Sequence, residues 1–163
     1  MSKTPSIHIS ITDQTLEFRK GEDGPATRFR VSTAANGHGQ KMNSFCTPLG
    51  KHLVRARIGE GAPVNTIFRG RRPTGEIYRQ GMREEFPDRD WILTRILWLS
   101  GSEKGFNRLG DVDTMRRYIY IHGAPDEVEM GEPGSIGCIR MHNQDLIKLF
   151  NMTPVGTPVT IHA

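Results

Sequence analysis

A cysteine, a histidine and an arginine lie close together in the second half of the chain. His122 follows an apolar run at residues 118–121, Cys138 follows Gly137, and Arg140 comes shortly after the cysteine. A thiol becomes an effective nucleophile when a neighbouring imidazole or positive charge stabilises its thiolate. A guanidinium group presents a planar pair of N–H donors that fits a carboxylate. These residues therefore indicate a cysteine acyl-transfer site for a carboxylate-bearing substrate.

The segments around the cysteine have the turn chemistry that such a site requires. Residues 124–134 contain the glycines and proline needed to return the chain beside the strand that carries the histidine. Gly137 allows a tight turn before the nucleophile. We expect the backbone N–H groups of Gly137 and Cys138 to face a developing oxyanion.

Spacing alone leaves other interpretations of these residues open. A buried cysteine is usually a small core residue, and a strand histidine is usually a structural hydrogen-bonding group. A zinc site of His122, Cys138 and His142 is a further alternative. It lacks the spacing of known zinc motifs, and Arg140 between the last two ligands would repel the cation. We predict no metal site and no cofactor.

Most of the chain has the pattern of short strands separated by turns. Strands are predicted at residues 7–11, 15–19, 29–31, 53–58, 91–99, 118–121 and 157–162, with a helix as the alternative for residues 91–99. Residues 59–90 are rich in glycine, proline and charge, and are expected to form a long excursion with short elements, acting as a flap over the site. This pattern predicts a mainly β fold, a β-sandwich-like or barrel domain that spans residues 1–163.

One helix is clearly signalled near the C-terminus. Asn143 is the predicted N-cap, and Asp145 lies in the first turn. The apolar face is formed by Leu146, Ile147, Leu149 and Phe150.

Composition excludes several classes of protein. No stretch approaches the roughly 18 apolar residues of a membrane span, and two cysteines, Cys46 and Cys138, do not make a disulfide framework. The basic cluster at residues 69–72 has no aromatic-interleaved stripe, so we predict a solvated loop and no nucleic-acid partner. The N-terminus shows no apolar leader, which predicts a cytoplasmic protein, or a periplasmic one if a leader has been removed.

The motif around the cysteine resembles that of a known family. Residues 135–141, Ser-Ile-Gly-Cys-Ile-Arg-Met, preceded by His122-Gly123, are similar to the signature of the L,D-transpeptidase catalytic domain (YkuD) family. The turn at residues 47–50 and the C-terminal residues 143–161 resemble the same family. Ile136 departs from the pattern, because the family usually has a histidine there.

The resemblance implies a β-sandwich-like fold and a covalent thioester mechanism. Cys138 would attack the carbonyl of the third residue, usually meso-diaminopimelate, of a peptidoglycan tetrapeptide stem and expel the terminal D-alanine. His122 would act as base and then acid, with its ring oriented by the Gly123 carbonyl. Arg140 would anchor a substrate carboxylate or order the site, and Ser135 would be a supporting hydrogen-bonding residue.

The resemblance does not decide which acceptor attacks the thioester. Attack by water would give an L,D-carboxypeptidase, and attack by an amine would give an L,D-transpeptidase that forms 3→3 cross-links. The missing leader and Ile136 favour a cytoplasmic L,D-carboxypeptidase that trims muropeptides in peptidoglycan recycling. The alternative to an enzyme is a non-catalytic module that binds peptidoglycan peptides.

The acidic loop between His122 and Cys138 has two interpretations. Residues 126–132 carry four carboxylates, and the simpler prediction is a solvated turn. Alternatively, Glu127 or Glu129 attracts the ammonium group of diaminopimelate.

Overall fold

The structure, a computed structural model, describes residues 4–163. Residues 1–3, part of the segment predicted to lack a leader, lie outside the described residues. The strands are β1 (Ser6–Ser10), β2 (Thr15–Arg19), β3 (Ala26–Ser32), β4 (Gly50–Ile58), β5 (Thr66–Arg69), β6 (Arg72–Ile77), β7 (Ile92–Gly101), β8 (Tyr120–Gly123), β9 (Ile139–Met141) and β10 (Pro158–His162). The described helices are α1 (Met82–Glu85) and α2 (Asn143–Met152), with a 3₁₀ turn at Gly110–Val112.

The strands form one sheet that closes on itself. Neighbouring strands follow the order β4-β10-β1-β2-β3-β9-β8-β7, and β7 pairs again with β4. The β5–β6 hairpin extends from β7 outside this ring. The pairs β1–β10 and β8–β9 are parallel, whereas β1–β2 and β2–β3 are antiparallel. The predicted mainly β fold class is confirmed, and the closed sheet is barrel-like.

The barrel core comes from apolar residues at alternate strand positions. Ile7 and Ile9 of β1 and Leu16 of β2 are fully buried, as their period-two spacing predicts. Helix α2 packs against β7 and β8 with its apolar face. This face includes the buried Leu146, Leu149 and Phe150. The helix therefore supports β8, the strand that carries the candidate base.

Residues 59–90 contain the β5–β6 hairpin and α1. Ile67 of β5 pairs with Leu93 of β7, which joins the hairpin to the barrel. Tyr78 and Met82 form a small cluster with Trp91, and the Tyr78 ring meets the Trp91 ring edge-on at 5.0 Å between centroids. The excursion is thus attached by its own apolar cluster.

Two predicted boundaries near the candidate site are wrong. Strand β8 begins at Tyr120, because Tyr118 has a φ of 55° and cannot continue an extended strand. Trp91 lies just before β7, and that strand continues to Gly101. Strand β8 also extends to Gly123, so His122 lies inside the strand and not at its end.

The sequence predicted Asn143 as the N-cap of α2, and this prediction is wrong. His142 occupies that position, without a side-chain capping hydrogen bond. The buried Asn143 amide donates to the Ala124 carbonyl and to Asn65 Oδ1, at 3.0 Å each. Its oxygen accepts a 2.6 Å hydrogen bond from Thr94. Asn143 therefore joins the helix to β7 and to the loop after β8, contacts that local sequence does not reveal.

Candidate active site

Strands β8 and β9 bring the candidate residues together. They pair in parallel, with His122 directly opposite Arg140. Cys138 immediately precedes β9, and its Sγ accepts a hydrogen bond from the Tyr120 N–H at 3.3 Å. The thiol donates to the Tyr118 carbonyl, also at 3.3 Å. The thiol is therefore held against the start of β8, two residues before the histidine on the same strand.

His122 is only 1% exposed, and its tautomer is set by one contact. Its Nδ1 lies 2.6 Å from the Gly123 carbonyl. A carbonyl oxygen only accepts hydrogen bonds, so Nδ1 carries the proton and Nε2 keeps its lone pair. Burial lowers the pKa of His122, an effect that Arg140 reinforces and the Asp90 charge opposes. His122 is therefore a neutral base at neutral pH.

Cys138 is 9% exposed, and its thiol is neutral in this state. Burial raises its pKa from 9.0 to about 12, and the Asp90 carboxylate acts in the same direction. The hydrogen bond from Tyr120 and the charges of Arg117 and Arg140 oppose this shift without cancelling it. The pair at rest is thus a thiol and an imidazole, and the thiolate must form by proton transfer during attack.

The turn before Cys138 is fixed by two hydroxyl groups. Ser135 Oγ donates to the Cys138 carbonyl at 2.6 Å and accepts from the Gly137 N–H at 3.2 Å. Thr47 Oγ1 donates to the Gly137 carbonyl at 2.9 Å. Gly137 has a φ of 137°, which favours glycine. The Gly137 N–H is therefore occupied, and the oxyanion role predicted for it requires the Ser135 contact to break.

Two cavities adjoin these residues. One, of about 530 Å³, includes Cys138 and Tyr120 in its lining, with Ile136 57% exposed beside them. The other, of about 230 Å³, includes Arg140. Asp90 lines both cavities. The thiol and the guanidinium therefore border separate spaces that share one carboxylate.

A match to the family model of the L,D-transpeptidase catalytic domain (YkuD) covers residues 4–161. The chain belongs to this family. The family identified from the motifs is therefore confirmed, and the match supports a cysteine enzyme domain.

Relatives and solved structures agree with this assignment. The Bacillus subtilis protein named "Putative L,D-transpeptidase YkuD" is 45% identical over 90 residues, which are 55% of this chain and 44% of that protein. An L,D-transpeptidase from Mycobacterium smegmatis has a TM-score of 0.58 at 18% identity, covering 98% of this chain and 59% of that one. L,D-transpeptidase 3 from Mycobacterium tuberculosis, in complex with a faropenem-derived adduct, has a TM-score of 0.55 at 17% identity, covering 98% and 61%. The chain spans about half the length of the relatives it matches.

This L,D-transpeptidase-family chain has site residues that the sequence analysis missed. Asp90 comes from the excursion and lines the Cys138 cavity. Arg117 lines the same cavity and donates to the Cys46 carbonyl, to Ser44 Oγ at 3.2 Å and to the Gly39 carbonyl at 3.1 Å. It thereby fixes the loop that leads to the Thr47 turn. No sequence motif marked either residue. Asp90 reaches the site from a distant segment, whereas Arg117 directly precedes the apolar run at residues 118–121.

The basic cluster at residues 69–72 is not simply a solvated loop. Arg71 lies over the rings of Trp98 and Tyr118, at 4.9 Å from each centroid, and donates to Tyr120 Oη at 3.1 Å. A planar guanidinium stacks favourably on aromatic faces. The hairpin tip therefore forms one wall of the Cys138 cavity.

The residues that line the Cys138 cavity include no carboxylate of the acidic loop. Glu127 accepts a 2.6 Å hydrogen bond from Tyr78 Oη and lines a separate cavity with Asn65. Glu129 is exposed. Asp90 is instead the carboxylate that lines the Cys138 cavity. Glu127 therefore ties the acidic loop to the excursion.

Two further features concern the described part of the chain. Within residues 4–163, no group of three or more His, Cys, Asp or Glu side chains is arranged to hold a metal ion. Among the same residues, no helix is long and apolar enough to cross a membrane.

We predict that alkylation of Cys138 by iodoacetamide keeps accelerating as pH rises beyond 9. The thiolate reacts, and its fraction grows about tenfold per pH unit below the thiol pKa, which burial raises to about 12. The measurement is the rate of mass gain in a Cys46→Ala variant, in which Cys138 is the remaining thiol. A plateau near pH 8 would show instead that the thiolate is already stabilised at rest.

Proposed function

We propose that this chain is a cysteine acyl-enzyme peptidase that cleaves the diaminopimelate–D-alanine bond of peptidoglycan tetrapeptide stems. We further propose that water is its main acceptor, which makes it an L,D-carboxypeptidase. The observation that carries the proposal is the neutral pair of His122 on β8 and Cys138 immediately before β9, beside Arg140 and next to open cavities. Membership of the L,D-transpeptidase family supports the substrate class.

Acylation begins when the Cys138 thiol breaks its hydrogen bond to the Tyr118 carbonyl and transfers its proton to Nε2 of His122. The sulfur attacks the carbonyl carbon of diaminopimelate, and a tetrahedral oxyanion forms. When the intermediate collapses, the C–N bond breaks and the imidazolium protonates the amine of D-alanine as it leaves. The Gly123 carbonyl keeps Nε2 as the proton-accepting nitrogen, since it accepts from Nδ1. The product of this half-reaction is a thioester.

Deacylation reverses these roles with a different nucleophile. His122 takes a proton from water, the hydroxyl attacks the thioester, and the Cys138 thiol leaves with the proton returned to it. The tripeptide stem is released with a new carboxylate. An amine from a second stem would follow the same steps and give a cross-link.

Ile136 supports water as the acceptor. It is 57% exposed at the Cys138 cavity, where the family pattern usually has histidine. Its side chain offers an amine acceptor neither a proton-accepting nitrogen nor a hydrogen bond. Water needs no such recognition.

We expect incubation with a disaccharide-tetrapeptide to give mainly the disaccharide-tripeptide and free D-alanine, with cross-linked dimers as minor products. Mass analysis distinguishes these products. An Ile136→His variant is the matched control, and its dimer fraction should rise if this position serves the acceptor. Dominant dimer formation by the natural sequence would overturn the carboxypeptidase proposal and favour an L,D-transpeptidase, the activity named for its relatives.

A further inference from the structure

The excursion at residues 59–90 forms one wall of the cavity that Cys138 lines. Gly70 and Arg71 contribute to this wall from the turn between β5 and β6, and Asp90 contributes to it just before β7. Neither Arg71 nor Asp90 belongs to the motif around the cysteine. The excursion therefore brings a cation and an anion to the same cavity as the thiol.

Asp90 offers a carboxylate at this wall. The residue is exposed, and none of the ion pairs within residues 4–163 includes it. After the larger effect of burial, its charge acts to raise the pKa of both Cys138 and His122. The carboxylate thus lies within electrostatic reach of the reacting pair. It is available to a cationic group of a substrate that is bound at the thiol.

Arg71 is held in place while most of its donors stay uncommitted. Its guanidinium lies 4.9 Å from the ring centroids of Trp98 and Tyr118. Its Nη1 donates to Tyr120 Oη at 3.1 Å, which leaves further N–H donors on the same group. Stacking orders the side chain in advance, so less entropy is lost when it binds a ligand. Arg71 can therefore present a pair of donors to a carboxylate in the cavity.

Positive charge exceeds negative charge in this cavity. Arg116 and Arg117 line it together with Arg71, and Asp90 is the carboxylate among the lining residues. Arg117 is already committed to the backbone carbonyls of a neighbouring loop. An ammonium ion alone would be repelled by the guanidinium groups, and a carboxylate alone would be repelled by Asp90. A group that carries both charges on one carbon atom balances the two effects.

We propose that Asp90 and Arg71 together bind the zwitterionic end of the diaminopimelate side chain, Asp90 through its ammonium group and Arg71 through its carboxylate. This inference rests on the proposed function and adds the residues that select the third residue of the stem. The ammonium group lies about 7 Å from the attacked carbonyl carbon when the side chain is extended. A cavity of about 530 Å³ is roughly 10 Å across if it is taken as a sphere. The side chain would therefore span the space between Cys138 and the wall of the excursion.

A purely electrostatic role of Asp90 is the alternative. In that case its charge would change the reactivity of the Cys138 thiol with every substrate to the same extent. Binding of the ammonium group would instead affect only the substrates that carry it. Ratios of kcat/KM between matched peptides separate the two roles, because an effect on the thiol cancels in the ratio.

The test uses peptides of the form L-Ala-γ-D-Glu-X-D-Ala. In the first, X is meso-diaminopimelate. In the second, X is L-lysine, which lacks only the side-chain carboxylate, and in the third it is L-2-aminopimelate, which lacks only the side-chain ammonium group. We expect the natural sequence to have a kcat/KM for the diaminopimelate peptide at least about tenfold above that for each of the others.

Each residue should control one of these two preferences. Asp90→Asn should reduce the preference over aminopimelate several-fold, by raising KM for the diaminopimelate and lysine peptides, and should keep the preference over lysine. Arg71→Gln should keep the preference over aminopimelate and reduce the preference over lysine. The matched controls are Asp88→Asn and Arg72→Gln, which remove the same charges from exposed neighbours outside the cavity lining. Both controls should keep both preferences.

The inference is overturned, and the peptidase function stands, if the natural sequence cleaves all the peptides equally well or if either variant keeps the preference assigned to it. An equal fall in kcat/KM for every peptide would show an effect on the thiol or the fold, and would also overturn the inference. Loss of preference in the control variants would point to net charge, with the same consequence. If none of the peptides is cleaved, the proposed function itself fails and the inference fails with it.

Discussion

Replacement of Cys138 by alanine is expected to abolish turnover of the tetrapeptide while the protein remains folded. The substitution removes only the sulfur atom, and no other described residue places a thiol at the start of β9. The turn should survive, because its hydrogen bonds with Ser135 and Thr47 use backbone atoms of residues 137 and 138. Activity should be measured as release of D-alanine, and folding as the thermal unfolding midpoint.

Cys46→Ala is the matched control for this variant. Cys46 is also free, but its sulfur contacts the carbonyls of Asn36 and Ser44 and not the start of β8. We expect it to keep nearly full activity. Faropenem, which forms an adduct in a solved relative, should add mass to Cys46→Ala and not to Cys138→Ala. An active Cys138→Ala together with an inactive Cys46→Ala would show that the nucleophile has been wrongly assigned.

Replacement of His122 by glutamine should lower kcat/KM by roughly a hundredfold or more. A glutamine amide can still donate to the Gly123 carbonyl, which His122 contacts at 2.6 Å, but it cannot accept the thiol proton. Because the resting thiol has a pKa of about 12, attack without a base would depend on a very small thiolate fraction. The loss should therefore fall on the acylation step, measured as the burst of D-alanine.

The pH profile separates proton transfer from a structural role of His122. Burial holds the pKa of this imidazole below 6.5, so the natural sequence should keep its activity through neutral pH and lose it below 6.5, as the ring becomes protonated. His122→Gln should lack this acidic decline. Identical pH profiles for both proteins would remove His122 from the proton-transfer mechanism.

Local patterns carried much of the fold prediction. The alternation of Ile7 and Ile9, continued by Leu16 in the next strand, follows directly from the two-residue period of an extended chain. The apolar face of α2 follows from helical periodicity in the same way. Closure of the sheet between β4 and β7 could not be read from sequence, because pairing between distant strands leaves no periodic signal.

The boundaries of β8 and α2 near the site could not be predicted without knowledge of tertiary contacts. Tyr118 continues an apolar run in the sequence, yet its φ is 55° and the strand starts later. Asn143 has the chemistry of an N-cap, but its amide is used by Ala124 and Thr94 inside the protein. In both cases contacts from distant segments outweigh the local preference.

The sequence by itself determined the family and the candidate nucleophile, base and cation, since one loop joins β8, which carries His122, to Cys138 and to β9, which carries Arg140. Short separation along the chain made their proximity predictable. The tertiary structure alone decided that the thiol and imidazole are neutral at rest, because burial depends on every segment packed around them. It also decided that Asp90 and Arg71, from an excursion without a periodic pattern, reach the site. Such contacts depend on long-range packing, which residue types and spacing do not encode locally.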